Sequence, residues 1–132
     1  MERIYTTPLL DKLGVKAGAR VAIVDVHDEV FRALLLERTT DVTEGTPLPE
    51  SDLIFLGADS IDELMAIGTL QRSLVANGAI WVVSRKGKQA TLRDVDVIDA
   101  AKSVGLVDNK VASFSDTHTA ARLVIPIARR PK

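Results

Sequence analysis

Three almost unbroken apolar runs constrain the fold of this chain more than any other feature. They cover residues 21–26, 53–56 and 80–83, and only Asp25 interrupts them. A strand with one wet face alternates apolar and polar residues, whereas a strand covered on both faces does not. The runs therefore predict central strands of a mostly parallel sheet with helices on both sides.

Helical signals lie between these runs, as parallel strands require. Over residues 28–38, apolar side chains recur at helical spacing. Ser60-Ile61-Asp62-Glu63 matches a reciprocal capping box and predicts a helix over residues 61–76, which ends at Asn77-Gly78. A third helix is expected from Thr91 to about Lys102, with Gly105 beyond it. The apolar positions assigned to these three helices are Val30, Phe31, Leu34, Leu35, Ile61, Leu64, Met65, Ile67, Leu74, Val75, Val95, Ile98, Ala101 and Val104.

The ends of the chain differ from this central pattern. Thr7-Pro8 starts a short helix over residues 8–13, and residues 39–44 suit a short second strand before a loop over residues 43–52. Residues 110–115 and 121–128 predict two strands joined by a turn, Asp116-Thr117-His118-Thr119, whose polar side chains bond locally. Pro126 must end or bulge the last strand. The fold class is a three-layer, Rossmann-like α/β domain over residues 1–132, with a mostly parallel sheet and a C-terminal antiparallel hairpin.

Composition removes several classes of function. The 132 residues include no cysteine, which excludes cysteine catalysis, Cys-ligated metal and disulfides. With 17 basic and 18 acidic side chains the net charge is −1, so a nucleic-acid partner is not expected. No run of residues is long enough for a membrane span and no signal peptide opens the chain, so the expected location is the cytoplasm.

Candidate ligand-binding residues follow the three buried runs. Because ligands of open α/β sheets bind at the carboxyl ends of strands, these loops should share one crevice. Carboxylates and imidazole there suit acid–base chemistry or Mg²⁺, but helix capping by Asp28 and Ser60, and loop amides bound by Asp25, explain them too. The basic loop suits an anion or a solvated turn, and Trp81 and Met65 are expected in the core. The crevice candidates are Asp25, His27, Asp28, Asp59, Ser84, Arg85, Lys86 and Lys88.

The lead-in to the first run, residues 13–21, resembles the segment before the first strand of methyltransferases with Rossmann-type folds. The whole chain also resembles a family of small bacterial proteins of unknown function with a compact methyltransferase-like fold. That resemblance implies a fold and no established activity. The matching residues are Thr7-Pro8-Leu9, Leu13-Gly14, Gly18, Asp52-Leu53-Ile54, Gly78-Ala79-Ile80-Trp81, Gly105-Leu106-Val107 and Ser115-Asp116-Thr117.

The chain departs from methyltransferases at the turn after the first strand. In those enzymes the turn is glycine-rich so that S-adenosylmethionine can approach the backbone, whereas residues 25–30 here contain no glycine and three carboxylates. The sequence therefore predicts a non-catalytic or degenerate binding or regulatory module with an unknown small ligand or protein partner, no cofactor and no metal. The alternative is a compact S-adenosylmethionine-dependent methyltransferase in which Asp41 or Glu44 holds the ribose. A third possibility is a pure interaction domain that forms a homo-oligomer.

Overall fold

A six-stranded sheet in the order β2-β1-β3-β4-β6-β5 organises the molecule. The computed structural model describes residues 8–130. The strands are β1 (Val21–Val24), β2 (Val42–Glu44), β3 (Ser51–Gly57), β4 (Leu74–Arg85), β5 (Val107–Ser113) and β6 (His118–Val124). The helices are α1 (Leu9–Lys12), α2 (Glu29–Arg38), α3 (Ile61–Leu64), α4 (Ala66–Leu70) and α5 (Asp94–Ser103), with 3₁₀ turns at Gln71–Ser73, Gly87–Gln89 and Ile127–Arg129.

The strand pairing confirms a mostly parallel sheet with a terminal antiparallel hairpin. β2, β1, β3 and β4 run parallel, and β6 lies antiparallel between β4 and β5. β6 ends at Val124, so the expected strand over residues 121–128 is too long at its carboxyl end and starts too late. Pro126 has no amide hydrogen to donate, and the interior position of β6 leaves no room for an unpaired residue.

Each face of the sheet has its own apolar layer, which gives the predicted three layers. One core contains Trp81, Phe31 and Phe55 and lies under α1 and α2. The other contains Ile54 and Ile80 of the sheet, together with apolar residues of α3, α4 and α5. Trp81 is fully buried, as expected, and its indole Nε1 donates to the Leu13 carbonyl oxygen at 3.0 Å. That bond satisfies the one polar atom of the side chain and ties the segment after α1 to the central strand.

The prediction of one long helix over residues 61–76 is wrong. It breaks at Met65 into α3 and α4, and β4 begins at Leu74. Leu74 pairs with Ser51 of β3, and a Cβ on Gly78 would lie 2.9 Å from the Asp52 carbonyl oxygen, so strand pairing extends back through this segment. Contacts with a neighbouring strand thus outweigh local helical preference.

Several apolar residues assigned to helix cores face solvent instead. Met65 is 74% exposed and Val30 is 73% exposed, whereas Phe31 and Leu35 are the residues of α2 that reach the core. In α5 the buried residues are Val97 and Ala101, not Val95. Thr7, the predicted cap of the first helix, lies outside the described residues. No helix within residues 8–130 is long and apolar enough to cross a membrane.

Replacement of Gly57 by alanine should destabilise the fold severely. A Cβ at Gly57 would lie 2.1 Å from the Asp25 carbonyl oxygen, which is backbone and cannot rotate away. We expect Gly57→Ala to lower the free energy of unfolding by about 3 kcal/mol, at the upper end of overpacking costs. Urea denaturation measures this difference.

Gly68→Ala is the matched control. Its Cβ would meet only the Val104 Cγ1 atom, at 3.2 Å, and Gly68 lies within α4, where alanine is favoured over glycine. Little loss of stability is expected. Equal destabilisation by the two substitutions would contradict the close packing of Gly57 on Asp25.

Candidate functional site

A crevice opens where the strand order reverses. The chain leaves β1 for β2 on one side and returns to β3 on the other, so the loops after β1 and β3 diverge. The resulting cavity measures about 560 Å³ at the carboxyl ends of the parallel strands. Its walls are Asp25, Val26, His27, Asp28, Gly57, Ala58, Asp59, Glu63, Val83, Arg85, Phe114, Thr117 and His118.

The turn after β1 forms one wall. Asp28 caps α2, because its Oδ1 accepts a hydrogen bond from the Phe31 amide at 2.9 Å. Asp25 has a φ of 61°, a left-handed conformation that most residues avoid. No backbone amide of residues 8–130 donates to its carboxylate, so the expected bonding of Asp25 to loop amides is wrong. Asp25 and His27 are both exposed toward the crevice.

Asp59 clips the loop after β3 to the end of β4. Its Oδ1 accepts from the Arg85 amide at 2.9 Å, and Arg85 Nε lies 3.8 Å from its Oδ2. The Asp59 amide donates to Glu63 Oε1 at 2.8 Å, while Ser60 Oγ accepts from the Glu63 amide at 3.1 Å. The predicted cap on α3 is therefore present, but Glu63 bonds the amide of Asp59 and not that of Ser60. The carboxylates of Asp59 and Glu63 therefore stabilise the loop after β3 through hydrogen bonds to backbone amides.

The basic loop after β4 contributes only Arg85 to the crevice. Ser84 is buried inside β4, opposite Thr119 of β6, and does not line the cavity. Lys86 turns toward the hairpin, where its Nζ donates to Ser113 Oγ at 2.8 Å. Lys88 is exposed and lies outside the cavity wall. The anion clamp considered for Arg85, Lys86 and Lys88 is not formed at this site.

The hairpin between β5 and β6 supplies the wall that the sequence analysis missed. Phe114, Thr117 and His118 line the crevice, and His118 Nδ1 lies 2.8 Å from Thr117 Oγ1. Both histidines of the chain, His27 and His118, therefore face one cavity. The missing signal was topological: a strand that follows a crossover helix runs parallel to its predecessor, so β5 ends at the carboxyl edge.

The interpretation of Asp25, His27, Asp28 and Asp59 as Mg²⁺ ligands stays a prediction. Asp25, His27, Asp28 and Asp59 all line the crevice. Within residues 8–130, however, no three histidine or carboxylate side chains come together as a metal site. Asp28 and Asp59 instead direct their oxygens at backbone amides.

Neither ribose candidate lies in the crevice. Asp41 precedes β2 at the opposite, amino edge of the sheet, where its Oδ2 pairs with Arg20 Nε at 3.0 Å. Glu44 ends β2 at the carboxyl edge, but its carboxylate pairs with Arg32 of α2. The hydrogen bond and the negative charge of Glu44 raise the pKa of Arg32 above its ordinary value. Asp41 therefore stabilises the amino edge of the sheet through its ion pair with Arg20. The carboxylate of Glu44 is already paired with Arg32.

The chain belongs to a family described as "protein of unknown function (DUF3052)", whose model matches residues 11–127. No curated protein matches it.

Solved structures that superpose on this chain include methyltransferases. An S-adenosylmethionine-dependent methyltransferase from Aquifex aeolicus superposes with a TM-score of 0.69 at 13% identity, covering 89% of this chain and 88% of that one. The pyocyanin biosynthetic protein PhzM gives 0.66 at 9% identity over 87% of this chain and 53% of its own, so this chain spans about half the length of PhzM. A putative type 11 methyltransferase from Sulfolobus solfataricus gives 0.60 at 15% identity, covering 86% and 88%. At such identities the likeness shows the fold alone, and the methyltransferase-like fold is confirmed.

The left-handed backbone at Asp25 can be tested by comparing the free energies of unfolding of two variants. The free energy of unfolding of Asp25→Ala is expected to be about 1 kcal/mol lower than that of Asp25→Gly, because only glycine adopts this conformation without steric cost. Urea denaturation of the two variants measures the difference.

The same pair at His27 is the control. His27 has no positive φ, so glycine should be no better than alanine there. An Asp25→Ala variant as stable as Asp25→Gly would contradict the left-handed turn.

Proposed function

We propose that this chain is a non-catalytic binding module in which the crevice at the strand ends takes a small polar ligand. S-adenosylmethionine is not held there in the pose that methyltransferases use. The observation that carries the proposal is the turn after β1, where Asp25 packs its backbone on Gly57 and directs a carboxylate-bearing side chain to the cavity.

The turn argues against the usual methyl donor on steric grounds. In the methyltransferases that this chain resembles, a glycine-rich turn lets the amino-acid and ribose parts of the donor lie against the backbone. Here Asp25, Val26 and His27 line the same position with side chains. The Asp25 carbonyl already lies against Gly57, so the turn cannot move closer to β3 to make room.

The charge of the turn does not decide the question. Asp25, Asp28 and Glu29 place three carboxylates on five consecutive residues of this turn. They repel the carboxylate of S-adenosylmethionine but attract its ammonium and sulfonium groups. The steric argument therefore carries the proposal that the donor does not bind here in its usual pose.

The cavity suits a small ligand in size and lining. Small-molecule sites commonly enclose about 300–1,000 Å³ and combine an apolar floor with a few polar groups. Val83 and Phe114 supply apolar surface here. Since Asp28, Asp59 and Glu63 bond backbone amides, the polar groups left for a ligand include Asp25, His27 and Arg85.

One observation favours the second candidate, a compact methyltransferase. Glu44 ends β2 at the carboxyl edge, the strand end at which the resemblance expects a carboxylate for ribose hydroxyls. This role requires Glu44 to leave Arg32. Asp41 does not support it, because it pairs with Arg20 at the amino edge.

A thermal-shift series separates the two candidates. The probes are S-adenosylmethionine, S-adenosylhomocysteine, nucleotides, amino acids and polyamines at millimolar concentration. A ligand at about one hundred times its Kd stabilises the fold by roughly 2.7 kcal/mol, which raises Tm by several degrees. We expect no shift with S-adenosylmethionine and a shift with another probe.

Substitutions show whether a ligand that raises Tm binds in the crevice. His27→Ala should abolish the response to the binding probe because its ring lines the crevice, while Lys88→Ala, outside the wall, should retain it. A shift with S-adenosylmethionine that Glu44→Ala removes would overturn the proposal in favour of the methyltransferase.

A further inference from the structure

Three exposed apolar side chains lie together on the helical layer formed by α3, α4 and α5. Ile61 is 63% exposed, Met65 is 74% exposed and Val95 is 47% exposed. We call these residues the α3–α5 patch. Large apolar side chains grouped on a surface often mark a place where another molecule binds.

The packing of the helices brings the three side chains to one place. Residues four apart share a helix face, so Ile61 and Met65 point the same way, and both are exposed while Leu64 and Ile67 are buried. The segment α3–α4 lies alongside α5 in the same direction. At the amino ends of α3 and α5, Thr91 Oγ1 donates to the Asp59 carbonyl oxygen at 2.5 Å, and both residues precede their helices.

The other end of the helix pair fixes the same alignment. Gln71 Nε2 donates to the Val104 carbonyl oxygen at 3.0 Å, just beyond the carboxyl ends of α4 and α5. Because both ends are matched, Val95 in the first turn of α5 lies level with the residues that open α3. The patch is therefore one surface.

Acidic side chains surround this apolar centre. Residues 60–66 and 93–101 contain five carboxylates against one basic side chain, Arg93. Asp62, Asp94 and Asp99 are exposed. Asp96 is held by Arg93, whose backbone hydrogen bond and guanidinium lower the pKa of that carboxyl. The patch thus combines an apolar centre with a negatively charged rim.

We propose that the α3–α5 patch binds a basic amphipathic helix of a partner protein. Apolar anchors on one face of such a helix would cover Ile61, Met65 and Val95, and its lysine or arginine side chains would meet the acidic rim. A second copy of this chain fits poorly, since a two-fold contact would bring two acidic rims together. An anionic lipid surface would be repelled for the same reason.

The patch is next to the crevice but separate from it. Glu63 lines the cavity and precedes Met65 by two residues, so a helix on the patch would lie beside the crevice mouth. The partner site makes no use of Asp25 or His27, and it stands independently of the ligand proposed for the crevice.

The test uses the full chain and a synthetic peptide of about 18 residues, with leucine at positions i, i+3, i+4 and i+7 and lysine elsewhere. Isothermal titration calorimetry measures its Kd, with a scrambled peptide of the same composition alongside. We expect Ile61→Ser combined with Met65→Ser to weaken binding at least about tenfold. Val111→Ser, which removes an equally exposed side chain on β5, and Asp25→Ala should leave the Kd unchanged.

Salt and sedimentation complete the test. Binding should weaken as NaCl rises, and Asp62→Asn combined with Asp99→Asn should reduce that dependence. Equal affinity for the scrambled peptide, or an unchanged Kd in the serine variant, would overturn the proposal. So would a dimer in sedimentation velocity that the serine variant dissociates, because the occupant would then be a second copy.

Discussion

The close approach of the Asp25 carbonyl oxygen to Gly57 shapes the carboxyl edge of the parallel strands. β1 and β3 are adjacent parallel strands, and their ends can come this close only because residue 57 has no Cβ. Asp25 itself has a left-handed conformation, from which the chain turns through Val26 and His27 into the cap of α2. The fold is methyltransferase-like, and Asp25, Val26 and His27 line the crevice at this turn.

Most of the polar groups at this edge have structural roles that explain their presence. Asp28 caps α2, Asp59 joins the β3 loop to β4, and Lys86 joins β4 to the hairpin. These bonds tie the loops around the crevice to neighbouring helices and strands. Against that background Asp25 and His27 stand out, because they face the cavity at a sterically unfavourable turn that local capping does not account for.

Local signals in the sequence were sufficient for most of the fold. The apolar runs around Ile23, Phe55 and Trp81 identify the buried strands, because burial on both faces leaves no polar alternation. Asp28 and Ser60 mark helix starts through short-range hydrogen bonds, which depend only on neighbouring residues. These features can be predicted because their physical cause lies within a few residues.

Other features depend on contacts distant in sequence. Residues 74–76 have an apolar spacing compatible with a helix, yet pairing with β3 makes them strand. His118 reaches the crevice only because β5 runs parallel to β4, and Asp41 is excluded from it because strand register places Arg20 beside it at the amino edge. Gly57 carries no local sequence signal for its role, since the atom that it accommodates belongs to Asp25, 32 positions earlier.

The most direct measurement is a crystal structure of the chain grown with millimolar S-adenosylmethionine. The account predicts that residues 25–28 keep their turn against Gly57 and that no donor lies over it. Ordered S-adenosylmethionine with its amino-acid part resting on Asp25 and Val26 would contradict it.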